Sequence, residues 1–134
     1  SGHIFFADKY FGFDDGIYVS LRLIELFSNS SELISEMISK IPSYVSTPEI
    51  RIDCRDDKEK RFICDKTVNF FKKSYKCITI DGARIEFSNG WALVRSSNTQ
   101  PVIVCRFEAD SESELNFIKN VVFNKLKEFG NINV

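Results

Sequence analysis

The hydrophobic and polar positions of this chain change period along its length, and the changes outline its elements. Ile50, Ile52 and Cys54 alternate with polar neighbours, which is the pattern of a strand with one buried face. The charged residues 55–61 then open a helix that runs to about Lys73. Its apolar stripe consists of Ile63, Thr67 and Phe70 or Phe71. We expect the charged stretch itself to form a solvated helix face.

Further strand patterns follow this helix. They cover residues 77–80, 84–87, 91–95 and 102–109. Asp81-Gly82 separates the first pair and Asn89-Gly90 the second. Both dipeptides favour tight hairpins because their residues tolerate positive φ. The pattern therefore predicts a meander of antiparallel strands.

A second long helix closes the chain. Ser111 and Glu114 have the spacing of a capping box at its start. Its apolar stripe consists of Leu115, Ile118, Val122, Leu126 and Phe129. The predicted fold class is α+β, a four-stranded, mainly antiparallel sheet with two helices packed on one face in the order β-α-β-β-β-α.

The N-terminal residues predict a short strand-helix-helix segment ahead of this layer. Residues 4–6 read as a strand, and Asp14 or Asp15 can cap a helix that ends at Phe27. A second helix is predicted for residues 31–41, where Pro42 ends it. We expect a domain boundary here, with residues 1–41 on one side and 42–134 on the other.

Composition narrows the possible functions. The chain has 134 residues, 43% hydrophobic, enough for one main core. Its net charge of −1 argues against a nucleic-acid partner, which usually requires a basic face. No apolar run approaches the ~18 residues of a membrane span, so we expect no membrane partner. Four cysteines and one His give little for a zinc site and fit reduced thiols in a cytoplasmic protein.

The stretch RSSNTQPVIVCRF contains the candidate chemistry. If Arg95 pairs with Val102, the six residues SSNTQP connect the strands, which is longer than a tight turn requires. The Arg95 guanidinium suits bidentate contact with phosphate, and Ser97, Asn98 and Thr99 add hydroxyl, amide and backbone donors. An anion-binding loop and a polar turn that satisfies its own backbone are both open interpretations. Because it contains no acid or base, we expect the loop to hold a ligand rather than react with it.

Arg106 follows this loop on the next strand. In the same register it lies opposite Trp91, so a cation–π contact is expected, and Arg106 would support the site rather than contact the ligand.

Three segments, SGHIFF, FGFDDGIYVSLRLIE and RSSNTQPVIVCRFEA, resemble the α-D-phosphohexomutases in order and spacing. Asn98 stands where related phosphoglucosamine mutases tend to have Gly, so the resemblance favours the bacterial phosphomannomutase/phosphoglucomutase group. It covers essentially the whole chain. It implies that residues 1–41 end the third, sugar-facing domain and that 42–134 form the complete fourth domain.

The resemblance also implies roles for particular residues. Arg95, Ser97, Asn98 and Thr99 match the loop that binds the phosphate that is not transferred. Ser1 and His3 match the end of the sugar-facing loop.

The implied enzyme is an isomerase, an intramolecular phosphotransferase that interconverts hexose 6-phosphate and hexose 1-phosphate through a bisphosphate intermediate. The family's phosphoserine and magnesium loops lie in N-terminal domains and have no match in these residues. We therefore expect a C-terminal fragment that has no catalytic or metal-binding residue and is inactive alone, with Mg²⁺ bound elsewhere in the full-length enzyme and a mannose or glucose phosphate as substrate. Two alternatives are a non-catalytic α+β module that binds an anion or single-stranded RNA, and a purely structural cap domain.

Overall fold

Pro42 marks the division of the chain into two units, Ser1–Pro42 and Ser43–Val134. The structure, a computed structural model, describes residues 2–133. In the first unit, a single β-bridge joins Phe5 to Asp14, and two helices follow. These are α1 (Gly16–Ser28) and α2 (Ile34–Ser39). The predicted strand-helix-helix segment is thus present, with its strand reduced to one bridge.

Asp15 starts α1. Its carboxylate accepts hydrogen bonds from the backbone N–H groups of Ile17 at 2.9 Å and Tyr18 at 3.1 Å, which would otherwise lack partners. The Tyr10 hydroxyl also donates to this carboxylate. The Tyr10 hydrogen bond, together with the two backbone N–H groups, lowers the pKa of Asp15.

The first unit leaves its apolar residues accessible. None of its described residues is buried. Phe11 is 84% exposed and Ile17 is 78% exposed, and α1 also exposes the apolar side chains of Leu21 and Ile24. An amphipathic helix gains most of its stability by burying such a face, so the apolar side of α1 has no cover within residues 2–42.

The second unit is a six-stranded antiparallel sheet with two helices. In chain order its elements are β1 (Val45–Ser46), β2 (Ile50–Asp53), α3 (Asp57–Phe71), β3 (Cys77–Ile78), β4 (Ala83–Phe87), β5 (Gly90–Ser96), β6 (Val102–Ala109) and α4 (Glu112–Phe129). Both β1 and β2 pair with β6, and the order continues through β5 and β4 to β3. The α+β class is confirmed. The predicted sheet has four strands, whereas the observed sheet has six. The sequence patterns mark five of them.

The extra strand arises from an interruption in one edge. Thr47 donates its backbone N–H to the Phe107 carbonyl at 3.0 Å, and its hydroxyl accepts the Phe107 N–H at 3.2 Å. Pro48 has no N–H to continue a ladder. The edge strand is therefore divided into β1 and β2 on the same side of β6.

Both helices pack on one face of the sheet and form the core with it. The fully buried side chains include Ile52, Ile85, Val94, Ile103, Cys105 and Phe107 from the sheet, and Ile63, Phe71, Ile118, Val122 and Leu126 from the helices. Alternation along the strands leaves the opposite face without a helix. That open face carries Arg84, Glu86, Trp91, Leu93, Arg95, Val104, Arg106 and Glu108.

Two glycines allow strands to meet closely. Gly82 has φ +74°, and a Cβ there would lie 2.2 Å from the Val94 carbonyl oxygen and 2.6 Å from the Arg95 Cα. Gly90 does not have positive φ, contrary to the expectation for the Asn89-Gly90 turn. It pairs with Phe87 and leaves Ser88 and Asn89 as the turn. A Cβ at Gly90 would lie 2.3 Å from the Glu108 carbonyl oxygen, so glycine is needed there for space.

Polar caps begin both long helices. The Asp56 carboxylate accepts the Glu59 N–H at 2.8 Å, and this hydrogen bond lowers the pKa of Asp56. The Ser111 hydroxyl accepts the Glu114 N–H at 3.3 Å, as one half of the predicted capping box requires.

All four cysteines are free thiols, and two of them lie in the core. Burial raises the pKa of Cys64 from its ordinary value of 9.0 to about 12 and also raises the pKa of Cys105. At pH 8 we expect iodoacetamide to modify the half-buried Cys54 and Cys77 well before this pair, because the thiolate is the reactive form. Mass spectrometry of peptides after timed alkylation measures the order, and early modification of Cys64 would contradict it.

The same shift affects stability at high pH. The unfolded thiol ionises near pH 9, whereas folded Cys64 retains its proton to about pH 12. The contribution to the free energy of unfolding is therefore complete below pH 9 and is lost as pH rises from there toward 12.

Within residues 2–133, no helix is both long and apolar enough to cross a membrane.

Candidate anion-binding site

The β5–β6 hairpin places the predicted site residues, and its register differs from the predicted one. Arg95 pairs with Val104 and Ser96 with Ile103. The prediction that Arg95 pairs with Val102 is wrong by two residues, because the ladder continues beyond β5: the Ser97 N–H donates to the Val102 carbonyl at 3.0 Å. Only residues 98–101 lie beyond this closing contact. The connection is thus of ordinary length, and excess length is no evidence for a function.

The turn holds its own polar groups in a defined arrangement. The Ser97 hydroxyl accepts the Thr99 N–H at 3.3 Å and lies 3.5 Å from the Thr99 hydroxyl. The Val102 N–H donates to the Gln100 carbonyl at 2.8 Å. Ser97 is 8% exposed, while Asn98 is exposed at the tip. Two hydroxyls and one side-chain amide therefore lie within three consecutive residues.

Two backbone donors of the turn remain available. Among the described residues, the N–H groups of Asn98 and Gln100 have no protein acceptor. Unpaired backbone N–H groups in a turn are donors that favour a bound anion, although the Thr99 N–H between these two is already bonded to the Ser97 hydroxyl. The alternative interpretation is a polar turn that satisfies its own backbone. It explains the N–H groups of Thr99 and Val102, which have acceptors within the turn. It does not explain the N–H groups of Asn98 and Gln100.

Arg95 lies at the base of the turn, on the open sheet face. Its Nη1 is 3.6 Å from a carboxylate oxygen of Asp81, and its side chain is 32% exposed. At that distance the contact is an ion pair without a short hydrogen bond. The guanidinium therefore retains donors for an anion held by the turn.

Lys60, near the start of α3, contacts the turn from below. Its Nζ donates to the carbonyl oxygens of Ser97 at 2.7 Å and Gln100 at 2.9 Å. It also lies 2.7 Å from the Asp57 carboxylate, and its side chain is 5% exposed. All three ammonium protons thus have acceptors.

Arg51 on β2 is the third cation beside the turn. It donates to the Gln100 side-chain oxygen and to Glu49. Each of the three cations near the turn pairs with a carboxylate. Arg51 pairs with Glu49, Lys60 with Asp57 and Arg95 with Asp81. A bound anion would therefore be held by local geometry rather than by a strong net positive field.

Arg106 does not pair with Trp91. It lies opposite Leu93, because the register is shifted by two residues. The cation over the Trp91 ring is Arg84, at 4.7 Å from its centroid, and the indole N–H donates to Glu108 at 3.1 Å. The predicted Arg106–Trp91 contact is therefore wrong, and Arg106 is an exposed residue of the open face.

The two remaining predicted residues belong to the first unit. Ser1 lies outside the described residues. His3 is exposed, and its Nε2 is 3.5 Å from the Asp14 carboxylate.

Sequence reasoning missed Lys60, Arg51 and Asp81. A signal for Lys60 was available, since it precedes Ile63 by three residues and Thr67 by seven, which places it on the buried stripe of α3. The interpretation of residues 55–61 as a solvated face is therefore wrong at Lys60, which is 4% exposed.

Comparison with known proteins finds phosphoglucomutases and phosphomannomutases both by sequence and by structure. The family model described as "Phosphoglucomutase/phosphomannomutase, C-terminal domain" matches residues 49–125. A phosphomannomutase/phosphoglucomutase of Pseudomonas aeruginosa is 45% identical over 127 residues, which is 95% of this chain and 27% of that protein. A phosphoglucomutase of Neisseria meningitidis serogroup A is 42% identical over 90% of the chain and 26% of its own length.

A solved structure has the same fold. It is a phosphoglucomutase/phosphomannomutase family protein from Burkholderia thailandensis, with a TM-score of 0.80 and 38% sequence identity. The alignment covers 96% of this chain and 27% of that one. The chain thus spans about a quarter of the length of each of these relatives.

Proposed function

Because the chain belongs to the phosphoglucomutase/phosphomannomutase family and contains its C-terminal domain, we propose that it forms the substrate-phosphate-binding portion of a hexose phosphate mutase. The full-length enzyme would interconvert hexose 6-phosphate and hexose 1-phosphate through a hexose 1,6-bisphosphate. Arg95, Ser97, Asn98 and Thr99 would hold the phosphate that is not being transferred.

One observation carries this proposal. In the part of the chain that the structure describes, the turn after β5 has unpaired N–H groups at Asn98 and Gln100, on either side of Thr99. Arg95 stands on the strand at its base, with its guanidinium held by a 3.6 Å ion pair to Asp81. Phosphate offers several acceptor oxygens and a negative charge, and it matches both the backbone donors and the planar fork of an arginine. No carboxylate or imidazole lies within residues 95–101, so the turn can hold a phosphate without reacting with it.

Recognition of the phosphate alone suits the proposed reaction. A hexose 1,6-bisphosphate must present first one phosphate and then the other to the same turn. Donors that contact only phosphate oxygens accept either end with similar geometry, whereas contacts to sugar hydroxyls would favour one orientation. The turn would therefore position both reaction halves.

We assign the two units to different domains of that enzyme. Residues 42–134 would belong to the fourth domain, and residues 1–41 would belong to the third, with Ser1 and His3 facing the sugar. The open apolar face of α1, including Leu21 and Ile24, supports this assignment, because further residues of a third domain would cover it.

Magnesium would be bound by other domains of the enzyme. Across residues 2–133, no three His, Cys, Asp or Glu side chains come together as a group that could hold a metal ion. When bound elsewhere, Mg²⁺ would stabilise negative charge on the phosphate being transferred. The residues of this chain would contribute phosphate binding only, and the chain alone would be inactive.

Titration of ligand into ¹⁵N-labelled protein tests the proposed site. We expect inorganic phosphate and glucose 1-phosphate to shift the amide signals of residues 96–100, chiefly Asn98 and Gln100, because their N–H groups would gain an acceptor. We expect weak binding, since the other domains of the proposed enzyme would supply the remaining substrate contacts.

Glucose serves as the matched uncharged control and should leave these signals unchanged. The proposal fails if the folded protein shows no shift at these positions with phosphate on the order of tens of millimolar, a range typical of weak sites.

A further inference from the structure

Lys60 is a buried cation that the proposed phosphate contacts do not use. It lies on α3, 37 residues before Ser97 in the chain, and only 4% of its surface is exposed. A buried ammonium is costly unless its protons are all accepted. Here two of the acceptors are backbone carbonyls of the phosphate turn, Ser97 and Gln100.

This contact fixes the direction of the turn's peptide groups. In a trans peptide the C=O and the following N–H point in opposite directions. The Ser97 carbonyl points at Lys60 and α3, so the Asn98 N–H points away from α3, toward the open side of the turn. The Ser97 carbonyl oxygen, which would repel an anion, therefore faces α3 and not the open side of the turn.

The contact at Gln100 completes the arrangement. The Gln100 carbonyl accepts from both the Lys60 ammonium and the Val102 N–H, at 2.9 and 2.8 Å. The next residue, Pro101, has no N–H. One side chain thus holds the carbonyls at both ends of the exposed tip, residues 98–100. Asp57 accepts the remaining proton at 2.7 Å.

We propose that Lys60 is the positioning residue of the phosphate turn: its ammonium binds the carbonyls of Ser97 and Gln100 and so aims the Asn98 N–H at the substrate phosphate. Its charge also lies directly behind the turn, where it favours an anion without touching it. The role in phosphate binding rests on the proposed function, whereas the carbonyl contacts can be measured without any ligand.

The first test measures the contacts in the unmodified protein. Nζ-detected ¹H–¹⁵N spectra should show a slowly exchanging Lys60 ammonium, with scalar couplings across the hydrogen bonds to the carbonyl carbons of Ser97 and Gln100. Lys66, an exposed lysine on the same helix, should show fast exchange and no couplings. If Lys60 behaves as Lys66 does, the inference is overturned.

The second test removes the donors. Lys60→Met keeps the length and apolar stem, and we expect about tenfold weaker inorganic phosphate binding, as for loss of a charged hydrogen bond. The amide signals of Asn98 and Gln100 should also broaden or move without ligand. Lys66→Met loses the same charge from α3, and Ile63→Val trims the core one turn away. Neither control should change phosphate affinity in the folded protein.

The outcomes separate the two proposals. Unchanged phosphate affinity and unchanged turn amides in folded Lys60→Met would overturn the role of Lys60 while leaving the phosphate site intact. If the unmodified protein does not bind phosphate, the proposed function fails, and the couplings alone decide whether Lys60 holds the turn. Should Lys60→Met not fold, the couplings in the unmodified protein again give the decision.

Discussion

If the proposed function holds, replacing Arg95 with alanine in the proposed full-length mutase is expected to lower kcat/KM for hexose phosphates by about 10- to 150-fold. This corresponds to the ~1.5–3 kcal/mol typical of a hydrogen bond to a charged group. Arg95 supplies the guanidinium at the base of the turn, and its side chain is only 32% exposed, so solvent screens the contact incompletely. Loss of the planar fork should affect both directions of the reaction, because the same turn would bind either phosphate.

Steady-state kinetics in both directions measure this effect. Arg61→Ala is the matched control, since it removes the same charge from an exposed position on α3, and we expect little change from it. Arg95→Lys should restore only part of the loss, because a point charge cannot make bidentate contacts. Unchanged kinetics for Arg95→Ala would exclude Arg95 from phosphate binding.

Replacing Gly82 with alanine is expected to lower the free energy of unfolding of residues 43–134 by about 2–5 kcal/mol. The positive φ of 74° disfavours a side chain by ~1–2 kcal/mol. The new Cβ would also collide with Val94 and Arg95 backbone atoms at 2.2 and 2.6 Å. Relieving such overpacking typically costs a further ~1–3 kcal/mol. Because Arg95 would have to move, phosphate binding should weaken as well.

Urea denaturation followed by Trp91 fluorescence measures the change in stability. Gly82→Asn separates the two causes, since asparagine tolerates positive φ but carries the same Cβ. We expect it to remain destabilised if the collision dominates. Wild-type stability for Gly82→Ala would show that β4 and β5 are not packed as closely as described.

The fold follows from the sequence wherever one local pattern decides it. Alternation at Ile50 and Ile52 predicts a strand with one buried face, and Ser111 predicts a helix start. The register of β5 and β6 does not follow in this way. Alternation fixes only which face a residue occupies, and a shift of two residues preserves every face. The sequence pattern therefore allows Arg95 to pair with Val102 as readily as with Val104. It likewise allows Arg106 to pair with Trp91, whereas the folded chain pairs it with Leu93.

Some residues of the candidate site can likewise be predicted from the sequence, and others cannot. Arg95, Ser97, Asn98 and Thr99 are contiguous enough to be recognised together. Lys60 joins them only through the packing of α3 under the sheet, across 37 residues of chain. Its position on the apolar stripe marks it as buried, but no local pattern says which carbonyls it contacts. Such a partner becomes visible only in the folded chain.

The ion pair between Arg95 and Asp81 would affect turnover in the proposed enzyme. A phosphate entering the turn would compete with this carboxylate for the guanidinium, and on departure the carboxylate would take its place again. The arginine would thus exchange one anion for another and would not be left unpaired in a partly buried position. Such an internal substitute would shorten the time for which one phosphate stays bound, which suits a bisphosphate that must release the turn with one end before it binds with the other.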